Sequence, residues 1–298
     1  MKFRAHETFP IRKGWLSKGL KNIMETPDVF VSKEENPMDV LGIGANMVKA
    51  MRYWLQATGL TVEPQSGKRN QTITQLGDII YRNDPYFEEI GSLWLVHQAL
   101  VTNEDSATSW YLFFNEFGAL EFTEDDFYRA LRKYIMMRDE KMPSARVISD
   151  DFKCVINTYY AGKRGDSADT DPESNLECPL TELGLVDYVT SVQGNRVYRK
   201  TPPKVENIPP LIVLAFILNS HKDEKEIKIS SLINAKNSVG KIFNIDTITL
   251  LNVLYELDKS SYIKVVRTAG LDIINILTDM TFEDCVQRYY DELNGERG

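Results

Sequence analysis

His6 and Glu7 are the adjacent pair with the widest chemistry open to them. An imidazole serves as general base, metal ligand or donor to a phosphate, and a neighbouring carboxylate can orient or charge it. Arg4, Arg12, Lys13 and Lys18 flank the pair. Guanidinium and ammonium groups hold phosphodiesters, arginine through a two-pronged fork. Cations around an acid–base pair suit chemistry on a DNA backbone. His6 and Glu7 are therefore the candidate catalytic residues, with the four cations as candidate DNA contacts. The competing reading makes His6 and Glu7 hydrogen-bonding anchors of a terminal segment, over packed Phe3, Phe9 and Trp15.

Further DNA contacts follow from spacing. Asn46, Lys49 and Arg52 are three residues apart and share one helical face. Lys68 and Arg69 stand at the tip of an expected hairpin, where a wing touches phosphate or the minor groove. No metal ligands can be assigned. Asp84, Glu88 and Glu89 cluster with His97 downstream, but Asp84-Pro85 is a natural turn and no Glu-x-Lys strand follows, so a structural role is favoured. Gly42-Ile43-Gly44-Ala45-Asn46-Met47 lacks the third glycine and the βαβ setting of a dinucleotide loop, and no phosphate-binding Walker loop is present. Cys154, Cys178 and Cys285 are odd in number and far apart, which fits buried free thiols. The aromatic run Trp110 to Phe114 and the run Leu93 to Val96 read as core.

The elements that must carry these residues are helices with short hairpins. The spacing predicts helices over residues 15–24, 46–58 (capped by Asn46 and closed by Gly59), 74–81, 106–117, 123–137 and 144–160. Residues 92–100 are short enough for a buried strand, and a helix also fits. Leu60-Thr61-Val62 and Gln71-Thr72-Ile73 make a hairpin, and residues 186–199 make another around Gln193-Gly194-Asn195. Residues 162–175 have almost no apolar content and read as an exposed loop. Near the end come helices over 208–219, 227–235 and 246–258, then strands over 262–266 and 272–276, the order of a winged helix-turn-helix. Its third helix, opened by Asp246, holds no Lys or Arg, which favours a protein-contacting or structural module over a DNA reader. The expected fold is mostly α with short β-hairpins (α+β) and winged-helix-like modules at both ends. The expected domains are 1–143, a middle helix–hairpin segment 144–205, and 206–298.

Composition sets outer bounds. The chain has 298 residues, 43% of them hydrophobic, enough for a sizeable core. The net charge of −8 excludes a surface coated with phosphate-binding cations. Through Met24, however, six basic side chains face only Glu7, while acidic residues gather at 121–126, 166–177 and beyond 279. A basic end on an acidic body suits a localised anionic partner. No apolar run approaches the roughly 20 residues of a membrane span, and no export signal opens the chain, so the cytoplasm is expected.

Phe3-Arg4-Ala5-His6-Glu7-Thr8-Phe9-Pro10, continuing through Arg12, Gly14, Trp15, Leu16 and Lys18, resembles the opening signature of the prokaryotic domain of unknown function 4007 family. Further strings match in order: Gly42 to Lys49 with Arg52-Tyr53-Trp54, Thr74-Gln75-Leu76-Gly77, Asp84-Pro85-Tyr86-Phe87-Glu88, Gly91 to His97 and Trp110 to Asn115. Cys178 to Leu185 matches more loosely, so the resemblance is strongest over the first half. Ala45 stands where a lysine is expected, removing one cation from that loop. The resemblance implies SspB-like proteins of bacterial DNA phosphorothioation and anti-phage defence. It implies a DNA-binding component that nicks DNA, with Mg²⁺ or Mn²⁺ as the cation, beside sulfurtransferase-type or ATPase partners. The alternatives are a non-catalytic adaptor that recruits modification enzymes, and a transcription regulator, for which no dimerisation heptads are present.

Overall fold

Trp15, Leu16, Gly19, Leu20 and Ile23 recur every three or four residues and form the buried stripe of α1 (Trp15–Glu25). The computed structural model describes residues 1–160, 177–190, 194, 196–268 and 271–296. They belong to two compact units, Met1–Thr201 and Pro202–Gly298, and the fold is α+β. The loop expected over 162–175 and the turn residues Gln193 and Asn195 lie outside the described residues.

In the first unit, α2 (Pro37–Leu41) precedes α3 (Ala45–Ala57), which packs on α1. Asn46 was expected as the cap of α3. Gly44 takes that position instead, and Asn46 lies inside the first turn. The expected hairpin forms as β1 (Thr61–Val62) against β2 (Thr72–Ile73). Thr74 Oγ1 then accepts the Gly77 N–H at 3.0 Å and opens α4 (Gln75–Asn83). A Cβ at Gly77 would lie 2.3 Å from the Leu60 carbonyl oxygen, so only glycine fits this approach.

The run over 92–100 is helical, inside α5 (Ile90–Thr102), and nearly every residue of α5 is buried. A helix covered on all sides loses its 3.6-residue pattern, which is why periodicity could not separate it from a strand. For the same reason α6 (Thr108–Tyr111) and the π-helical turn Leu112–Glu116 are buried all round rather than amphipathic. β3 (Glu121–Phe122) leads to α7 (Glu124–Met136), opened by a Thr123–Asp126 capping box, and α8 (Ala145–Tyr159) starts at a Ser144 cap. β4 (Val186–Thr190) and β5 (Arg196–Lys200) complete a sheet of order β3-β5-β4, with Phe122 opposite Tyr198. A division at 143/144 was expected. Strands and helices from both sides of it share one sheet and one aromatic core, so the first compact unit runs on to Thr201.

The second unit begins with α9 (Pro210–Ser220), apolar on nearly all faces. β6 (Glu226–Lys228), α10 (Ile229–Asn234) and α11 (Val239–Phe243) follow. The helix expected from residue 227 thus starts as a strand, because Ile227 pairs opposite Ile274. α12 (Thr247–Lys259) has the expected Asp246 cap, whose carboxylate accepts the Thr249 N–H at 2.8 Å. β7 (Ile263–Thr268) and β8 (Leu271–Ile276) give the order β6-β8-β7, and α13 (Phe282–Glu296), not foreseen from the sequence, packs on α9. All three cysteines are buried free thiols, as expected, and burial pushes Cys178 and Cys285 up to about 12.

Gly77→Ala should destabilise the first unit by about 1–3 kcal/mol, read as a lower denaturant midpoint. An unchanged midpoint would show that the Leu60 approach is not tight. The Asp126, Asp246 and Asp284 carboxyls are held below their usual range, chiefly by bonds to Thr123, Thr249 and Thr281. A depressed folded-state pKa stabilises at pH values above the unfolded value, roughly 3.9, and that contribution is lost as pH falls through the folded values. Asp246→Asn keeps a capping oxygen but should flatten the acid limb of a stability–pH curve below about pH 4.

Candidate functional site

The first nine residues form a tight turn. Arg4, Glu7 and Thr8 adopt φ of 53°, 50° and 72°, a left-handed conformation that costs a residue with a side chain of order 1–3 kcal/mol. A buried polar cluster over-determines it. His6 Nδ1 accepts the Thr8 N–H at 3.1 Å, so Nε2 carries the proton and donates to Asp151 Oδ1 at 2.9 Å. Asp151 also accepts the Arg4 N–H at 2.7 Å and the Ser109 hydroxyl at 2.6 Å. Trp54 lies nearly parallel to the imidazole at 6.0 Å, Trp110 meets it edge-on at 5.5 Å, and the Trp54 indole N–H donates to the Phe9 carbonyl at 2.9 Å. Burial first, then the Asp151 charge, raises the Tyr53 phenol far above its ordinary pKa, leaving it a neutral donor to the Ser106 carbonyl.

This corrects the sequence reading of His6. The imidazole was expected to face a groove as half of an acid–base pair with Glu7. It is 1% exposed and turned inward onto Asp151, while the Glu7 carboxylate reaches Lys49 at 3.8 Å. A charged phosphodiester has no route to a ring enclosed by Tyr53, Trp54 and Trp110. The anchoring alternative is the one the geometry favours.

The expected DNA cations divide into small groups. Arg4 pairs with Asp150 at 3.0 Å, and Lys18 Nζ donates to the Leu41 carbonyl at 2.7 Å, at the end of α2. Lys49 lies 3.5 Å from the Asn46 side-chain oxygen. Arg52 and Arg69 converge on one buried carboxylate, Glu63, at 2.8 and 2.6 Å, which ties α3 to the hairpin and cancels one of the two charges. Lys68 is exposed and makes no ion pair with the described residues.

Arg12 and Lys13 meet a different environment. They line a pocket of about 230 Å³ with Ser17, Tyr86, Glu88 and Glu182. The Arg12 guanidinium is restrained over Phe9 at 5.3 Å and Trp15 at 5.5 Å. Gly14, at φ 82°, opens α1 without a side-chain cap, and no acidic residue occupies its first turn, so the positive end of that helix is left to the pocket. Opposite, Asp84 accepts the N–H groups of Glu88 and Glu89 at 3.0 and 2.9 Å and the Ser92 hydroxyl at 2.6 Å. That is the structural role expected of it. His97 is likewise buried, bonded to the Tyr159 hydroxyl at 2.8 Å. No group of three His, Cys, Asp or Glu side chains suited to a metal occurs among the described residues. Glu88 and Glu182 are the two carboxylates among the residues lining the pocket, and they are the ones that could hold a cation there, which would have to keep several waters. The sequence reading gives Glu88, with Asp84 and Glu89, a structural role, and does not single out Glu182 as a site residue. The signal for them was present: the strings holding Arg12, Tyr86 and Glu88, and Glu182 all carry the family resemblance, and here they meet.

A family described as a protein of unknown function, DUF4007, matches residues 3–290. The chain belongs to the DUF4007 family. Membership extends through both compact units, further than the strings of the first half alone had indicated. No curated protein matches the sequence. Among solved structures, a magnesium ion-bound SspB crystal structure is 25% identical, with a TM-score of 0.80 over 99% of this chain and 95% of that one. A second SspB crystal structure is 26% identical, with a TM-score of 0.80 over 99% of this chain and 87% of that one. No helix among the described residues is long and apolar enough to cross a membrane.

His6→Ala leaves Asp151 buried with one donor fewer. It should cost about 2–4 kcal/mol and speed amide exchange across residues 3–9. His6→Gln, which supplies an N–H at nearly the same point, should recover much of that protection. If the alanine variant were as stable as the parent, the imidazole would not be the anchor described.

Proposed function

We propose that this DUF4007 protein is the DNA-contacting component of a bacterial phosphorothioation-linked modification and defence system, and that it nicks DNA at the Arg12 pocket. The observation that carries this reading is the convergence of three family strings on one pocket with two adjacent cations, an uncapped helix N-terminus and two carboxylates. Similarity to SspB over nearly the whole chain supports the system. Arg12 and Lys13 hold the phosphate beside the N-terminal end of α1, whose Leu16 and Ser17 also line the pocket. Glu88 and Glu182 would hold a hydrated Mg²⁺, which supplies charge neutralisation at the phosphate and a more acidic bound water. Exposed Lys68 is placed to touch the backbone from the hairpin tip, while Arg52 and Arg69 set the hairpin through Glu63. The fixed turn over residues 3–9 sets the direction from which Arg12 and Lys13 enter.

The electrostatics give a distinctive test. Without a cation, two carboxylates offset the two basic side chains and repel phosphate. Duplex binding should therefore strengthen when Mg²⁺ replaces EDTA at constant ionic strength. Glu88→Gln with Glu182→Gln should bind more tightly than the parent in EDTA, lose the Mg²⁺ response, and leave supercoiled plasmid un-nicked. Arg12→Ala with Lys13→Ala should flatten the log–log salt dependence by about 1–2, at roughly 0.9 per phosphate contact. Absence of any DNA binding at low salt would end this reading.

One observation favours a second role for the other unit. α12, the expected recognition helix of a winged-helix module, has no Lys or Arg from Thr247 to Asp258 and exposes Ile248 and Tyr255. That face suits a protein partner, such as the sulfurtransferase-type or ATPase proteins of the same system, better than phosphate. Ile248→Asp with Tyr255→Asp should abolish co-purification of such a partner while leaving DNA affinity unchanged.

A further inference from the structure

Tyr86 is 69% exposed, makes no hydrogen bond or ring contact with the described residues, and lines the same pocket as Arg12 and Lys13. A tyrosine left this open is held there at a cost. The next residue, Phe87, has φ 56° although it carries a large side chain, and it is buried. That reversal sends Phe87 inward and leaves Tyr86 outside. Asp84 secures it, through the Phe87 N–H to its own carbonyl at 3.2 Å and the Glu88 and Glu89 N–H groups to its carboxylate. Strained backbone that persists because its surroundings over-determine it is a mark of functional positions. Burial of Phe87 accounts for the inward half of this reversal, and the outward half leaves the Tyr86 ring open beside Arg12 and Lys13.

We infer that the pocket takes one unpaired nucleotide of a DNA strand, its base stacked on the Tyr86 ring and its phosphate held by Arg12 and Lys13. This rests on the DNA reading above and narrows it to single-stranded or locally opened DNA. Size bounds the ligand: about 230 Å³ is below the roughly 300–1,000 Å³ of drug-sized pockets, so a backbone phosphate with part of one nucleotide can enter, and a duplex reaches the pocket only through its phosphates. Chemistry selects it. An exposed aromatic face beside cations is how proteins track unpaired strands, because every base offers a π-face and the adjoining phosphate needs a positive partner. In a duplex the base faces are already stacked, and the ring of Tyr86 gains nothing from them.

The test uses the full chain and three DNA probes of equal length: a single strand, a duplex, and a duplex with a short single-stranded gap. Tyr86→Ala should weaken binding to the single strand and the gap by about 5- to 140-fold, the equivalent of about 1–3 kcal/mol, with duplex affinity within twofold of the parent. Tyr86→Phe and Tyr86→Trp should retain strand binding. A fluorescent purine analogue in the single strand should be quenched by the parent and the Phe variant and not by the Ala variant. Because Tyr86 is exposed, the Ala variant should keep the parent's melting temperature. Unchanged strand affinity and quenching in Tyr86→Ala, with duplex binding intact, would overturn the stacking role alone. Equal losses on strand and duplex would also overturn it. If the parent binds none of the three probes, the underlying DNA reading falls with it.

Discussion

Asp151 is a carboxylate removed from water, and the first unit is arranged around satisfying it. An isolated ion in the interior costs several kcal/mol even after relaxation. Asp151, on α8, accepts from the Arg4 backbone, the His6 ring and the Ser109 hydroxyl on α6. Donors from two distant segments, the N-terminal turn and α6, meet at one residue of α8, so the turn, α6 and α8 cannot shift independently. The same cluster holds three residues in a left-handed backbone that none of them prefers. The family signature around His6 thereby finds a physical meaning as a fixed entry path for the chain, along which Phe9, Arg12 and Trp15 are set at measured distances.

Charge follows the same economy. A basic N-terminal segment on an acidic chain suggested a broad anionic surface. In the fold, cations of that segment and beyond it are taken up locally: Arg4 on Asp150, Lys18 on a helix end, Arg52 and Arg69 on the shared carboxylate of Glu63. Arg12 and Lys13 border a cavity whose lining also holds Glu88 and Glu182. A site of mixed sign is poorly suited to a bare phosphate and well suited to a phosphate with a divalent cation, so the pairing of side chains matters more than the regional sum.

The second unit handles charge differently. α12 carries no Lys or Arg before Lys259 in its last turn, and it exposes Ile248 and Tyr255 beside Glu256, where a DNA-reading helix carries cations. The first unit thus holds a pocket of mixed charge, and the second an exposed helix face short of cations.

By itself the sequence determined many of the local elements. Asp246 and Thr74 announced helix starts because capping bonds span only three residues, although Gly44 and not Asn46 caps α3, and the 60–73 hairpin was legible from β-prone runs around a turn. It also determined membership of the family, through strings whose order is local information. Only the tertiary structure decided what those strings do. Periodicity left α5 open between strand and helix because a helix buried on all sides carries no polar face to mark its phase. The inward turn of His6 depended on Asp151, 145 residues away, and the pocket depended on bringing Arg12, Tyr86 and Glu182 together. Side-chain chemistry can be read from a linear string, but burial and partnership arise from contacts between distant segments, and those exist only once the chain has closed on itself.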